Sequence, residues 1–354
     1  MRRRSIGPLA LAFAFAFSGA AAAQRRPEAL WYLTDREDGV QSFLAHIERI
    51  SIVAPQTYRL DESGIVWGSV DPRVLTAARA RGVKVVPLVT NPGFDQAMFH
   101  KVLTTPEARL RAVRGITAVC RDNHYDGMQF DFENIHITDR DAFSRFFKET
   151  ADSLHAAGCS ASAAVVPRAE EAPGPTSYHE WMYENWRGAY DYKALADAAD
   201  FLSLMTYDQH TRRTPPGPVA GVPWMQRCVE LLLKQGVPPE KISLGIPSYS
   251  NRWYATWDER DGARVAGQGM SWAALTGVLA RFGARPTWDD RQKVSWASWE
   301  NDGLNEFAFI EDAASFREKM ALVPRYRLRG YSVWVLGMED PAVWSLPAAR
   351  QADR

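Results

Sequence analysis

The residues best able to do chemistry lie in one run, Tyr125 to Asn134, which reads Y-D-G-M-Q-F-D-F-E-N. Read as a β-strand of period two, it sets Gly127, Gln129, Asp131 and Glu133 on one face and Met128, Phe130 and Phe132 on the other. Side chains two apart on a strand stand about 7 Å apart, near enough to share protons and hydrogen bonds. Burying two carboxyls costs several kcal/mol unless they are partnered or protonated, so the pattern points to chemistry rather than stability. An edge strand with its acids in water is the competing reading; the bulky apolar face and the helical flanks weigh against it. Two other stretches match this one. Met205-Thr206-Tyr207-Asp208 sets Met205 and Tyr207 on one face, and Trp334 shares its parity with Ser332. Acids, a tyrosine hydroxyl and a tryptophan face at one mouth would make a carbohydrate site: stacking for the ring, hydrogen bonds for its substituents, an acid for the glycosidic oxygen.

Bringing these side chains together requires strands whose ends converge. Strand patterns occupy residues 30–34, 49–55, 83–89, the Tyr125 run, 160–166, 201–207, 242–247 and 331–336. Helical patterns over 37–48, 72–81, 105–123, 139–157, 192–199, 224–235 and 312–323 separate them, and a small hairpin over 58–66 turns at Ser63-Gly64. Residues 167–190 read as a loop whose Trp181, Tyr183, Trp186 and Tyr190 suggest a platform for sugar faces. Residues 250–309 change style and read as a small α+β insertion between strand 7 and helix 7. Eight strands with intervening helices, and no glycine fingerprint after the first, predict a (β/α)8 TIM barrel over residues 24–349 rather than a doubly wound sheet. Catalytic groups in such a barrel project from the C-terminal strand ends.

The chain has 354 residues, 46% hydrophobic and 24% charged, which suits a globular protein with a large core. Residues 1–23 combine a basic start, an apolar stretch from Leu9 to Phe17 and the small residues Ala21-Ala22-Ala23, the pattern of a secretory signal peptide. The apolar stretch falls short of the ~20 residues that span a bilayer, so no stable membrane anchor is expected and the mature protein should be secreted or periplasmic. Removing three arginines and no acids from 42 of each leaves 39 basic against 42 acidic residues, a formal charge of −3, which makes nucleic acid a poor partner. The three cysteines, Cys120, Cys159 and Cys228, allow one disulfide without saying which pair forms it. Neither they nor the histidines show metal-ligand spacing, so no metal or other cofactor is expected. A monomer is expected.

The D-G-M-Q-F-D-F-E run at 126–133 resembles the D-x-x-D-x-D-x-E signature of glycoside hydrolase family 18, the chitinase family. M-T-Y-D at 205–208 is similar to the family's sixth-strand motif, L-G-I-P-S-Y at 244–249 to its seventh, and the Trp334 strand to its last. The resemblance runs in order from about Leu30 to Trp344. It is stronger to the branch of cortex-lytic and peptidoglycan-associated hydrolases, through G-A-Y-D-Y at 188–192, M-T-Y-D-Q-H at 205–210, P-G-P-V at 217–220 and V-W-V-L-G-M-E-D-P at 333–341.

The resemblance implies a glycosidase acting on a poly- or oligosaccharide that contains N-acetylhexosamine, by retaining, substrate-assisted catalysis. Glu133 would protonate the leaving oxygen, Asp131 would hold the acetamido N–H, Tyr207 would bind the acetamido oxygen and Trp334 would floor the sugar. Met205, Asp208 and Tyr249 would fill supporting positions. Two departures stand out. The family's middle aspartate is Gln129 here, which leaves Asp131 a neutral neighbour. The third strand, V-P-L-V-T-N-P-G, also lacks the S-x-G-G pattern of many chitinases, which moves the expected substrate from crystalline chitin towards peptidoglycan or another N-acetylhexosamine polymer. The alternative is a catalytically silent, lectin-like barrel of the same family; retention of Glu133, Asp131 and Tyr207 argues against it.

Overall fold

The computed structural model describes residues 27–259 and 262–347, and the leader expected over residues 1–23 lies outside them. Eight parallel strands form the centre: β1 (Glu28–Leu33), β2 (Ile52–Leu60), β3 (Leu88–Thr90), β4 (Gly127–Asp131), β5 (Ser160–Val165), β6 (Phe201–Leu204), β7 (Ile242–Pro247) and β8 (Gly330–Trp334). Each pairs with its neighbour in sequence. β1 also pairs in parallel with β8, which closes the ring into the expected (β/α)8 barrel.

Strand parity sorts the core into two layers. On β4, Met128 and Phe130 face outwards into the large core cluster, where Phe130 meets Phe146 and Phe147 of the helix Arg140–Ala156; Phe132, just past the strand, stacks on Phe99 at 4.4 Å between ring centroids. Leu30, Tyr32, Ile52, Ala54, Leu88 and Phe201 fill the barrel itself. Gly127 is needed where β4 starts beside β5, because a Cβ there would lie 2.0 Å from the Ser160 hydroxyl oxygen.

Several elements differ from the sequence reading. β2 runs on to Leu60 through a register shift between Gln56 and Tyr58, so its extension pairs antiparallel with Val66–Trp67. The third strand is split into Lys84–Val85 and Leu88–Thr90. Pro87, which has no N–H to give a ladder, sits at the break. A helix over Gln96–Thr104, capped by the Asp95 carboxylate on the Met98 N–H, occupies residues to which the sequence pattern assigns no element. The stretch 167–190, read as a loop, contains the helix Ser177–Met182 followed by a π-helical turn over Tyr183–Arg187. In the first, Met98, Phe99, Val102 and Leu103 fall at helical spacing and Phe99, Val102 and Leu103 are buried; the second is six residues long, too short to show a period.

Residues 250–310 form a five-stranded antiparallel sheet with the helix Trp272–Phe282 over one face, packed through Leu275, Leu279, Ala297 and Ala308. The sheet docks on the loop after β6: Trp253 Nε1 donates to the Thr214 carbonyl at 3.0 Å, and Asn251 Nδ2 to that of His210 at 3.2 Å. Cys120 and Cys159 are bonded, tying the helix Pro106–Asp122 to the chain entering β5, and Cys228 is free and buried. Among the described residues no helix is long and apolar enough to cross a membrane.

Candidate active site

The C-terminal end of β4 carries the two carboxyls. Asp131 is the last residue of the strand and is buried; Glu133, two residues on, is half-buried and already past the ladder. Asp131 Oδ2 accepts a hydrogen bond from Gln56 Nε2 at 3.1 Å. That partner differs from the sequence expectation, which gave Asp131 only Gln129. The Gln129 amide instead points deeper into the barrel and donates to the Ser162 and Ser203 hydroxyls, each at 3.2 Å. A second strand that ends at Pro55 leaves Gln56 outside the site. Continuing the parity of Ile52 and Ala54, both of which face the barrel interior, would have placed it inside.

Burial dominates the electrostatics. It pushes the Asp131 carboxyl up to about 6, with the Gln56 hydrogen bond pulling the other way. Glu133 is raised well above the ordinary glutamate range, first by burial and then by the negative charges of Asp131 and Asp208. The arrangement therefore holds a proton on Glu133 at pH values where Asp131 can be ionised.

The other predicted residues surround this pair. Tyr207 is buried and its hydroxyl is held protonated, chiefly by burial, with the negative charge of Asp131 adding to the effect. Asp208 follows in a left-handed conformation, φ 57°, and accepts a hydrogen bond from the Tyr249 hydroxyl. Burial raises Asp208, while Tyr249 and the Arg212 charge lower it. Trp334, half-buried at the end of β8, lies against Tyr32 at 5.4 Å between ring centroids. Met205 is buried in the large core cluster. β6 ends at Leu204, one residue before Met205, and the Thr206 and Tyr207 amides each bond back two residues, to Leu204 and Met205. The strand parity used to pair Met205 with Tyr207 therefore does not apply there. Of the aromatics read as a sugar platform, Trp181 is 47% exposed, whereas Tyr190 is fully buried and donates its hydroxyl to the Phe132 carbonyl at 2.7 Å.

Among the described residues no group of three or more His, Cys, Asp or Glu side chains is arranged to hold a metal ion. What the cluster offers is a proton donor kept neutral, a neighbouring carboxylate, tyrosine hydroxyls and a tryptophan face at one barrel mouth.

Residues 63–339 match the family model for glycosyl hydrolases family 18. The uncharacterized glycosylase YvbX of Bacillus subtilis (strain 168) is 23% identical over 319 residues, which cover 88% of each chain. The cortical fragment-lytic enzyme of the same organism is 25% identical over 263 residues; these are 74% of this chain but only 58% of that protein's length. Among solved structures, the chitinase from Chromobacterium violaceum ATCC 12472 superposes with a TM-score of 0.79 at 28% identity, over 90% of this chain and 97% of that one.

Proposed function

The chain belongs to glycosyl hydrolases family 18 and is a glycosidase, and we propose that it cleaves β-linked N-acetylhexosamine glycans, of peptidoglycan or chitin type, by retaining, substrate-assisted catalysis. The observation that carries the reading is the pair of carboxyls at the end of β4, Asp131 buried and Glu133 half-buried, with Glu133 raised by desolvation and by the charges of Asp131 and Asp208. Glu133 gives its proton to the glycosidic oxygen as the bond from that oxygen to the anomeric carbon breaks. The oxygen of the substrate's own 2-acetamido group bonds to that carbon from the opposite face, forming an oxazolinium ion. Asp131 accepts the acetamido N–H and balances the positive charge, and the Tyr207 hydroxyl donates to the acetamido oxygen. Trp334 supports the apolar face of the ring, while Tyr249 and Asp208 frame the pocket. Water then attacks the anomeric carbon, returning its proton to Glu133 and restoring the original configuration.

The names of two similar proteins, a cortical fragment-lytic enzyme and a chitinase, support a glycan of this class. Export to an oxidising compartment is part of the reading, supported by the leader pattern and by the Cys120–Cys159 bond. Wild-type protein should release reducing ends from peptidoglycan or from N-acetylglucosamine oligomers, and Glu133→Gln should lose roughly 10²–10⁴-fold of that rate. Binding of these glycans without turnover would overturn the reading.

A further inference from the structure

The hydrogen-bonded register of β3 against β4 ends at Thr90 opposite Asp131, so Glu133 has no strand ladder to hold it. The next residue after β3 takes over. Asn91 is 1% exposed; its Oδ1 accepts from the Glu133 N–H at 3.0 Å and its Nδ2 donates to the Glu133 carbonyl at 2.9 Å. One side-chain amide thus meets both backbone groups of one residue, as the main chain of a neighbouring strand would. Directly after this grip the chain turns left-handed at Asn134, φ 53°. Among the described residues none hydrogen-bonds the Glu133 carboxyl itself, so its aim is inherited from the backbone that Asn91 grips.

We propose that Asn91 is a positioning residue for proton donation: its amide fixes the Glu133 backbone and thereby aims the carboxyl at the leaving oxygen. The proposal rests on Glu133 being the proton donor. A displacement of about 1 Å at a reacting group can cost on the order of 10²-fold in rate. The cost of a misaimed acid depends on how much help the leaving group needs. A sugar or alkoxide leaving group needs a full proton, whereas a strongly acidic phenol leaves almost unaided. A residue that only supports the fold would lower both rates alike.

The test compares aryl glycosides of N-acetylglucosamine oligomers bearing 2,4-dinitrophenol with those bearing 4-methoxyphenol, on the full chain, for wild type, Asn91→Ala, Asn91→Asp and Glu133→Gln. Asn91→Ala should lose about 10- to 100-fold in kcat/KM, which reports the steps up to departure of the leaving group, on the methoxyphenyl substrate and less than about 3-fold on the dinitrophenyl one. Asn91→Asp keeps the side-chain volume and the acceptor for the Glu133 N–H but loses the donor to its carbonyl. It should show the same selectivity to a smaller degree, and it reports on the grip if the alanine variant does not fold. Equal losses on both substrates, or none, in an Asn91 variant while Glu133→Gln shows the selective loss would overturn the proposal. If Glu133→Gln itself shows no selective loss, the assignment of the proton donor falls and the role of Asn91 falls with it.

Discussion

Replacing Gln56 by leucine removes the one hydrogen bond that the Asp131 carboxylate accepts among the described residues and leaves a side chain of similar bulk. The bond favours the ionised carboxylate and opposes burial, which raises the carboxyl to about 6. Hydrogen bonds to charged groups are worth roughly 1.5–3 kcal/mol, and a pKa change of one unit corresponds to about 1.4 kcal/mol. Allowing for a water that recovers part of the loss, the carboxyl should rise by about one unit, from about 6 towards about 7. The proposed catalysis needs Asp131 ionised and Glu133 protonated, so kcat/KM should follow a bell whose acid limb belongs to the first proton lost by the pair. In Gln56→Leu the acid limb should shift to higher pH by about one unit while the basic limb stays in place. At pH 5, on the acid side of both limbs, the variant should be about 10-fold slower than wild type, and near the top of its bell within about 3-fold. The assay is kcat/KM for an aryl glycoside of an N-acetylglucosamine oligomer between pH 4 and pH 10, with thermal melts confirming the fold. A uniform loss at every pH, with the acid limb unmoved, would refute the assignment of that limb to Asp131 and of its control to Gln56.

Two further predictions concern the barrel interior and one the disulfide. The folded-state value of Asp131 lies above its ordinary 3.8, so the stability tied to this carboxyl is present below about pH 4 and lost as pH rises through about 6. Asp131→Asn should therefore stabilise the protein by up to roughly 3 kcal/mol at pH 8 and hardly at all at pH 3.5, while abolishing turnover; equal denaturation midpoints for the two proteins at pH 8 would contradict this. Gln129→Asp places a third carboxyl beneath Asp131, within reach of the Ser162 and Ser203 hydroxyls, and should change the pH–rate profile; a profile identical to wild type would show that this position does not influence the pair. Cys120→Ser opens a covalent loop spanning a sequence separation of 39, worth about 4 kcal/mol by chain entropy, and should lower the urea midpoint of the oxidised protein while leaving that of the reduced protein nearly unchanged.

Much of the scaffold can be read from local patterns. The alternation within Gly127–Asp131 is a property of each residue and its immediate neighbours, and it correctly places Gln129 and Asp131 towards the barrel interior and Met128 and Phe130 towards the helices. β7 was expected over Ile242–Pro247 and is found there, because a short continuous apolar run between helices has few other solutions. Reading fails where a segment is short or its contacts are distant. The helix Ser177–Met182 is six residues long, buries no side chain and is marked locally only by its Thr176 cap, so the sequence around it shows no period. Gln56 was lost for a similar reason: the bulge that carries β2 past Pro55 depends on pairing with Leu88 and Val89.

By itself the sequence determined the order of strands and helices, the polar inward face of the Tyr125 run and the kinds of side chain at three strand ends. Tertiary structure alone decided their partners. Asp131 takes its hydrogen bond from Gln56, 75 residues earlier, across the intervening strand β3, because inward side chains of alternate strands share a layer once the barrel closes. Gln129 is turned to Ser162 and Ser203 rather than to Asp131. Asn91 meets Glu133 because both follow paired strands whose ladder has just ended. Local periodicity sets which way a side chain points, but which charge it meets depends on ring closure, and that meeting sets the protonation on which the proposed chemistry depends.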